Sequence, residues 1–160
     1  MAESLHTVLS KSFVPKLDLR DRENLSIKEK QTTYKLSFGK RRASVAYQVD
    51  GTIISDGNKC DYLILARQDA ATANDEKWKS VFVELKATDV EHAVKQLDAT
   101  LKHALFKHPS VNEVHARLVA KSFPANNANP AYEKAKRQFK KNHPGCTFKQ
   151  VTSGHPDRID

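Results

Sequence analysis

The chain is poor in the features that mark secreted, fibrous and membrane-spanning proteins. Its 160 residues include only 2 cysteines, 5 glycines and 6 prolines. Neither Cys60 nor Cys146 has a Cys or His neighbour at zinc-finger spacing, which excludes a disulfide scaffold or zinc ribbon and implies reduced thiols. Scarce glycine and proline exclude collagen-like and low-complexity chains. No apolar run reaches the roughly 20 residues that cross a bilayer, and the start MAESLHTVLSKSF lacks a basic-then-apolar leader. A soluble cytoplasmic protein with no membrane partner is therefore expected. Neither Gly-x-Ser-x-Gly nor a glycine-rich phosphate loop occurs, so the common acyl-transfer and nucleotide-binding signatures are missing.

What the chain does have is basic charge, and that charge is unevenly placed. The formal net charge is +8, and residues 102–150 hold ten Lys/Arg against two Asp/Glu. Such an excess suits a polyanion, nucleic acid foremost, and also suits a simply solvated face. The length favours a single domain over residues 1–160, large enough to bury an ordinary core.

Apolar spacing then orders the chain. Residues 1–30 give no clear pattern, and KLDLRDRENLSIKEK is polar enough for a loop or exposed helical turn. TYKLSF and ASVAYQV read as strands around a basic turn at Gly39–Arg42, TIIS as a short strand, and KCDYLILA and VFVEL as buried strands. Counted from residue 40, these form a three-strand meander. A helix follows from Thr88, with Glu91 completing a capping box and Val90, Val94, Leu97, Leu101, Ala104 and Leu105 forming its apolar stripe. VNEVHARLVAKSF is a strand, and PAYEKAKRQFKKN a helix capped by Asn129 with Pro130 in its first turn. CTFKQVT is a last strand, so the basic helix and strand occupy residues 130–152. The expected class is α/β, a central mixed sheet built as meander, then helix, strand, helix and strand, flanked by helices.

The chemistry concentrates in the two central strands. Asp61 opens KCDYLILA, and Glu84 and Lys86 close VFVELK two residues apart on one strand face. If those strands pair antiparallel, Asp61 stands beside Glu84. Two carboxylates can hold Mg²⁺ or Mn²⁺ through hard oxygens, and a neighbouring lysine can serve an attacking water and offset charge on a phosphate. An ammonium beside two acids favours positioning the water over deprotonating it. The same residues also fit a turn aspartate and a solvated Glu-x-Lys pair.

Asp61, then Glu84-Leu85-Lys86 at a strand end, then a capped helix and a further strand, resembles the PD-(D/E)XK superfamily of restriction-endonuclease-like nucleases and Holliday-junction resolvases. The resemblance covers about residues 40–125. It implies a restriction-endonuclease-like core and a Mg²⁺- or Mn²⁺-dependent nuclease hydrolysing nucleic-acid phosphodiesters, most simply a DNA endonuclease. Asp61, Glu84 and the carbonyl of Leu85 would be metal ligands, and Lys86 would serve the water. Gln96, ten residues past Lys86, matches a glutamine that some relatives carry on this helix. The superfamily's proline before the first acid is replaced by Cys60, residues 67–80 form an insertion containing Trp78, and a first-helix acid could be Glu3, Glu23 or Glu29. Phosphate contacts are expected from Lys40, Arg41 and Arg42 and from Lys134, Arg137, Lys140 and Lys141 on the late helix. Partners would be nucleic acid and, since duplex cleavage needs two sites, a second copy or a larger complex. The alternative is an inactive domain of this fold that binds nucleic acid or a protein.

Overall fold

The computed structural model describes residues 3–55, 57, 59–68, 76–86, 89–125 and 128–160. A short helix, α1 (Leu5–Ser10), is capped by Ser4, whose hydroxyl accepts the Thr7 N–H. Two long strands follow, β1 (Leu17–Glu29) and β2 (Thr32–Gln48). After them come β3 (Tyr62–Arg67), β4 (Trp78–Leu85), α2 (Val90–Leu101), β5 (Val111–Ala120), α3 (Pro130–Asn142), β6 (Cys146–Thr152) and β7 (Pro156–Arg158). The protein is mixed α/β, with a seven-stranded sheet ordered β1-β2-β3-β4-β5-β6 and β7 beside β2. Strands β1 to β4 form an antiparallel meander. Strands β5 and β6 join in parallel through the crossovers that contain α2 and α3.

The later elements follow the sequence closely. Asn129 accepts the Tyr132 N–H as cap of α3, with Pro130 in the first turn, and β6 has the expected bounds. α2 differs at both ends. Thr88 lies outside the described residues, and the cap is Asp89, whose carboxylate accepts the His92 N–H at 3.2 Å. Ala104 and Leu105 fall in a separate 3-10 turn, so the buried stripe runs from Val90 to Leu101.

The front of the chain departs further. The polar run 17–29 is the edge strand β1, where only Leu25 and Ile27 are buried, so its alternation is confined to one end. No turn interrupts β2 at residues 39–42. The pairing instead shifts from Asn24↔Ser37 to Arg22↔Arg42, which leaves Phe38 to Arg41 as a bulge opposite Glu23. Gly39 takes φ +76 there, a region that a side chain strains, and an added Cβ would lie 2.6 Å from Asp160 Oδ1. TIIS makes one bridge, Asp50↔Ile54, and no strand.

Each sheet face buries a core. On one, α1, α2 and α3 cover Val45, Leu63, Leu65, Phe82, Ala116 and Leu118. On the other, Leu25, Ile27, Tyr34, Leu36 and Phe38 of the bent hairpin pack on Ile64, Val81, Val83 and Val119 together with Ile159. The bulge makes this possible by letting β2 turn back across its own sheet, and a buried Asp157 locks the result. It accepts from Tyr34 Oη at 2.7 Å, Arg117 Nε at 2.7 Å and Lys149 Nζ at 3.1 Å. No helix among the described residues is long and apolar enough to cross a membrane.

Candidate active site

The β3–β4 register, Tyr62↔Val83, sets Asp61 beside Glu84. The Asp61 N–H donates to Val83 O at 3.1 Å, and the Leu85 N–H returns to Asp61 Oδ2 at 2.8 Å. These two bonds fix both the backbone and the rotamer of Asp61. The two carboxyls of Asp61 and Glu84 lie near enough for each to bear on the other's ionisation. The Lys86 ammonium stands 3.9 Å from Glu84 Oε2. Lys86 leaves the end of β4 with its N–H held by Val119 O at 2.7 Å, so β5 fixes the lysine's backbone.

Burial gives the pair unusual electrostatics. Glu84 is 1% exposed, and its Oε1 has no hydrogen-bond partner among the described residues. Burial, and after it the charge and hydrogen bond of Asp61, push the Glu84 carboxyl far above the usual range, against the pull of Lys86. Burial also raises Asp61, opposed by the Leu85 N–H. Two acids this close cannot both ionise cheaply, and a cation beside them would relieve both.

Asp61, Leu85, Lys86 and Gln96 line one cleft of about 450 Å³. Its other wall is the tip of the β1–β2 hairpin, Glu29 to Thr32, with Asp50 at the rim. Glu84 stands behind Asp61 and is not part of the wall. Gln96 points its Nε2 to Lys59 O at 3.3 Å and keeps a buried Oε1 with no partner among the described residues. Among the three acids considered at the front of the chain, Glu29 alone lines the cleft, where its charge bears on Tyr62 and Asp61. Glu3 ion-pairs with Lys11 beside α1, and Glu23 lies exposed opposite the β2 bulge. Asp50, 3.6 Å from Lys59, and the hairpin tip were not singled out by sequence; only the pairing of distant strands brings them here.

The basic residues divide. Lys40 and Arg41 are exposed on the bulge, whereas Arg42 is buried and donates to Arg67 O at 3.0 Å. On α3, Lys134, Arg137 and Lys141 share one exposed stripe by helical spacing, with Lys140 exposed beside it. Lys136 instead lies over the Tyr132 ring at 4.4 Å and pairs with Glu133. Trp78 begins β4 fully buried, in contact with the His6 ring and under the Arg67 guanidinium, so it is a core residue with no face for a base.

Among the described residues no group of three or more His, Cys, Asp or Glu side chains is placed to hold a metal ion. Two carboxylates and a strand-end backbone therefore make up the available set, and its chemistry is that of hard oxygen. Comparison of the chain with family models, with curated proteins and with solved structures gives no match.

Proposed function

We propose that this protein is a metal-dependent nuclease of the PD-(D/E)XK type, hydrolysing nucleic-acid phosphodiesters, DNA in the first instance, on a restriction-endonuclease-like core. The observation that carries the reading is the meeting of the Asp61 and Glu84 carboxyls at adjoining strand ends with the Lys86 ammonium beside them. A buried carboxyl oxygen without a partner and a second acid in contact suit Mg²⁺ or Mn²⁺, which take oxygen ligands and keep several waters. Asp61 and Glu84 would hold the ion, with the Leu85 carbonyl as third oxygen. Bound there, the ion supplies Lewis acidity toward a phosphate oxygen and a more acidic water.

The chain's own groups account for the rest. Asp61, held by the Leu85 N–H, presents a fixed carboxylate to the cleft. Lys86 orients the attacking water and offsets negative charge growing on the phosphate. Gln96, on the same wall as Asp61, would face the bound phosphate. The stripe of Lys134, Arg137 and Lys141 on α3, with Lys140, and the exposed Lys40 and Arg41 provide sequence-independent phosphate contacts.

Incubating plasmid and linear DNA with the protein and Mg²⁺ or Mn²⁺ tests this. Wild type should cut, while Glu84→Ala and Lys86→Ala should lose at least about a hundredfold in rate, the scale of removing one charge-stabilising group. Equal cutting by all three ends the proposal. A second reading, a non-cleaving nucleic-acid-binding module, draws on the enclosure of Glu84 and on the lack, among the described residues, of a third acidic ligand grouped with it. Salt-sensitive DNA binding without Mn²⁺ uptake selects it.

A further inference from the structure

The segment that delivers Asp61 is fastened to α2 by one hydroxyl. The Cys60 N–H donates to Thr100 Oγ1 at 2.7 Å, and that hydroxyl donates in turn to Gln96 O at 2.8 Å. Gln96 Nε2 adds a bond to Lys59 O at 3.3 Å. Thr100 is fully buried between the apolar residues Leu97 and Leu101, where a hydroxyl is costly unless it is hydrogen-bonded. A mid-helix threonine commonly satisfies its donor on the carbonyl four residues back, as this one does. Its acceptor, however, is committed to a backbone amide 40 positions away. That amide belongs to the residue immediately before the first acid.

The position has a further peculiarity. A proline here would fix φ by its ring and leave no N–H to satisfy. Cys60 has neither property: its φ is free, and its N–H is buried and must be bonded. We propose that Thr100 is a positioning residue that acts through the Cys60 N–H. It fixes the direction in which the chain enters β3, and so holds Asp61 against Glu84 by a hydrogen bond where a pyrrolidine ring would otherwise do so. The proposal rests on the nuclease reading and adds to it a residue outside the reacting groups.

Thr100→Val keeps the branched shape and removes the hydroxyl, while Thr100→Ser keeps the hydroxyl. Tyr34→Phe deletes a buried hydrogen bond on the opposite sheet face and serves as the control for simple destabilisation. Each full-length variant is titrated with Mn²⁺ and assayed for kcat and KM on DNA, and its thermal midpoint is measured without metal. Thr100→Val should weaken Mn²⁺ affinity and lower kcat by 10- to 100-fold, the usual cost of losing a residue that orients a ligand, with KM for DNA within about twofold. Thr100→Ser should restore both, and Tyr34→Phe should lower only the thermal midpoint. Wild-type Mn²⁺ affinity and kcat in Thr100→Val overturn the proposal, as does an equal loss of both in Tyr34→Phe. A wild type that neither binds Mn²⁺ nor cuts DNA overturns the nuclease reading itself, and the positioning role with it. Should Thr100→Val not fold, Thr100→Cys, with a weaker acceptor of similar size, is read by the same criteria.

Discussion

Asp157 shows how one side chain can hold distant parts of the protein together. It is fully enclosed, yet three donors from three strands meet on its carboxylate. Burial by itself would raise its pKa; the hydrogen bonds from Tyr34, Arg117 and Lys149 outweigh that and hold it below the ordinary value of 3.8. A carboxyl depressed on folding contributes stability that is fully present above the unfolded value and is lost as pH falls through the lower folded one. Thermal midpoints of wild type measured downward from pH 5 should therefore fall in the window below about pH 4, while Asp157→Ala should show little slope from this source. At neutral pH the same variant should lose about 3–5 kcal/mol, because the buried guanidinium of Arg117 keeps its charge without its partner. A chemical-denaturation curve for Asp157→Ala within about 1 kcal/mol of wild type would contradict this account.

The elements differ in how openly the sequence announced them. α3 and β6 were legible because their signals are local: an Asn-Pro start and a Pro-Gly end bracket the helix, and the short run CTFKQVT follows directly. The Asp61–Glu84 pairing was legible only on the condition that the two strands are antiparallel neighbours, which the Tyr62↔Val83 register fulfils. β1 was not, since its outer half pairs on one side only and carries charge, as exposed edge strands commonly do. Glu29 was one of three open candidates that local pattern could not separate, and Asp50 and Thr100 were invisible as site residues for a related reason: each reaches the cleft or the Asp61 segment by contacts across the fold, and nothing near it in sequence marks it. The bulge in β2 was mistaken for a turn because Gly39 and three cations look like one. Its actual task, bending a 17-residue strand back over the sheet, needs the positive φ of Gly39 and bare space against Asp160 and Arg158. Gly39→Ala puts a side chain at φ +76, a left-handed conformation, and should destabilise by about 1 kcal/mol or more. A denaturant midpoint equal to wild type would show that the bend tolerates a side chain.

For the molecule as a whole, the basic residues should govern how tightly nucleic acid is held more than which sequence is held. Each neutralised phosphate contributes about 0.9 to the slope of log affinity against log salt on duplex DNA. Replacing Lys134, Arg137 and Lys141 together by alanine should flatten that slope by about two to three, with little change between unrelated sequences. An unchanged slope would mean that this stripe faces solvent even in the complex. Order of synthesis adds another consequence of the fold. Tyr34 and the carboxylate that receives it lie 123 positions apart, and β7 is the parallel neighbour of the early half of β2. While the nascent chain is still on the ribosome, the greasy underside of the hairpin waits for a cover whose Asp157 is translated 123 positions after Tyr34. Until that cover arrives, the hairpin tip has no fixed resting place, and the cleft it walls is unfinished. A message cut short before β7 would thus yield a sticky, open-jawed product for chaperones and proteases to clear.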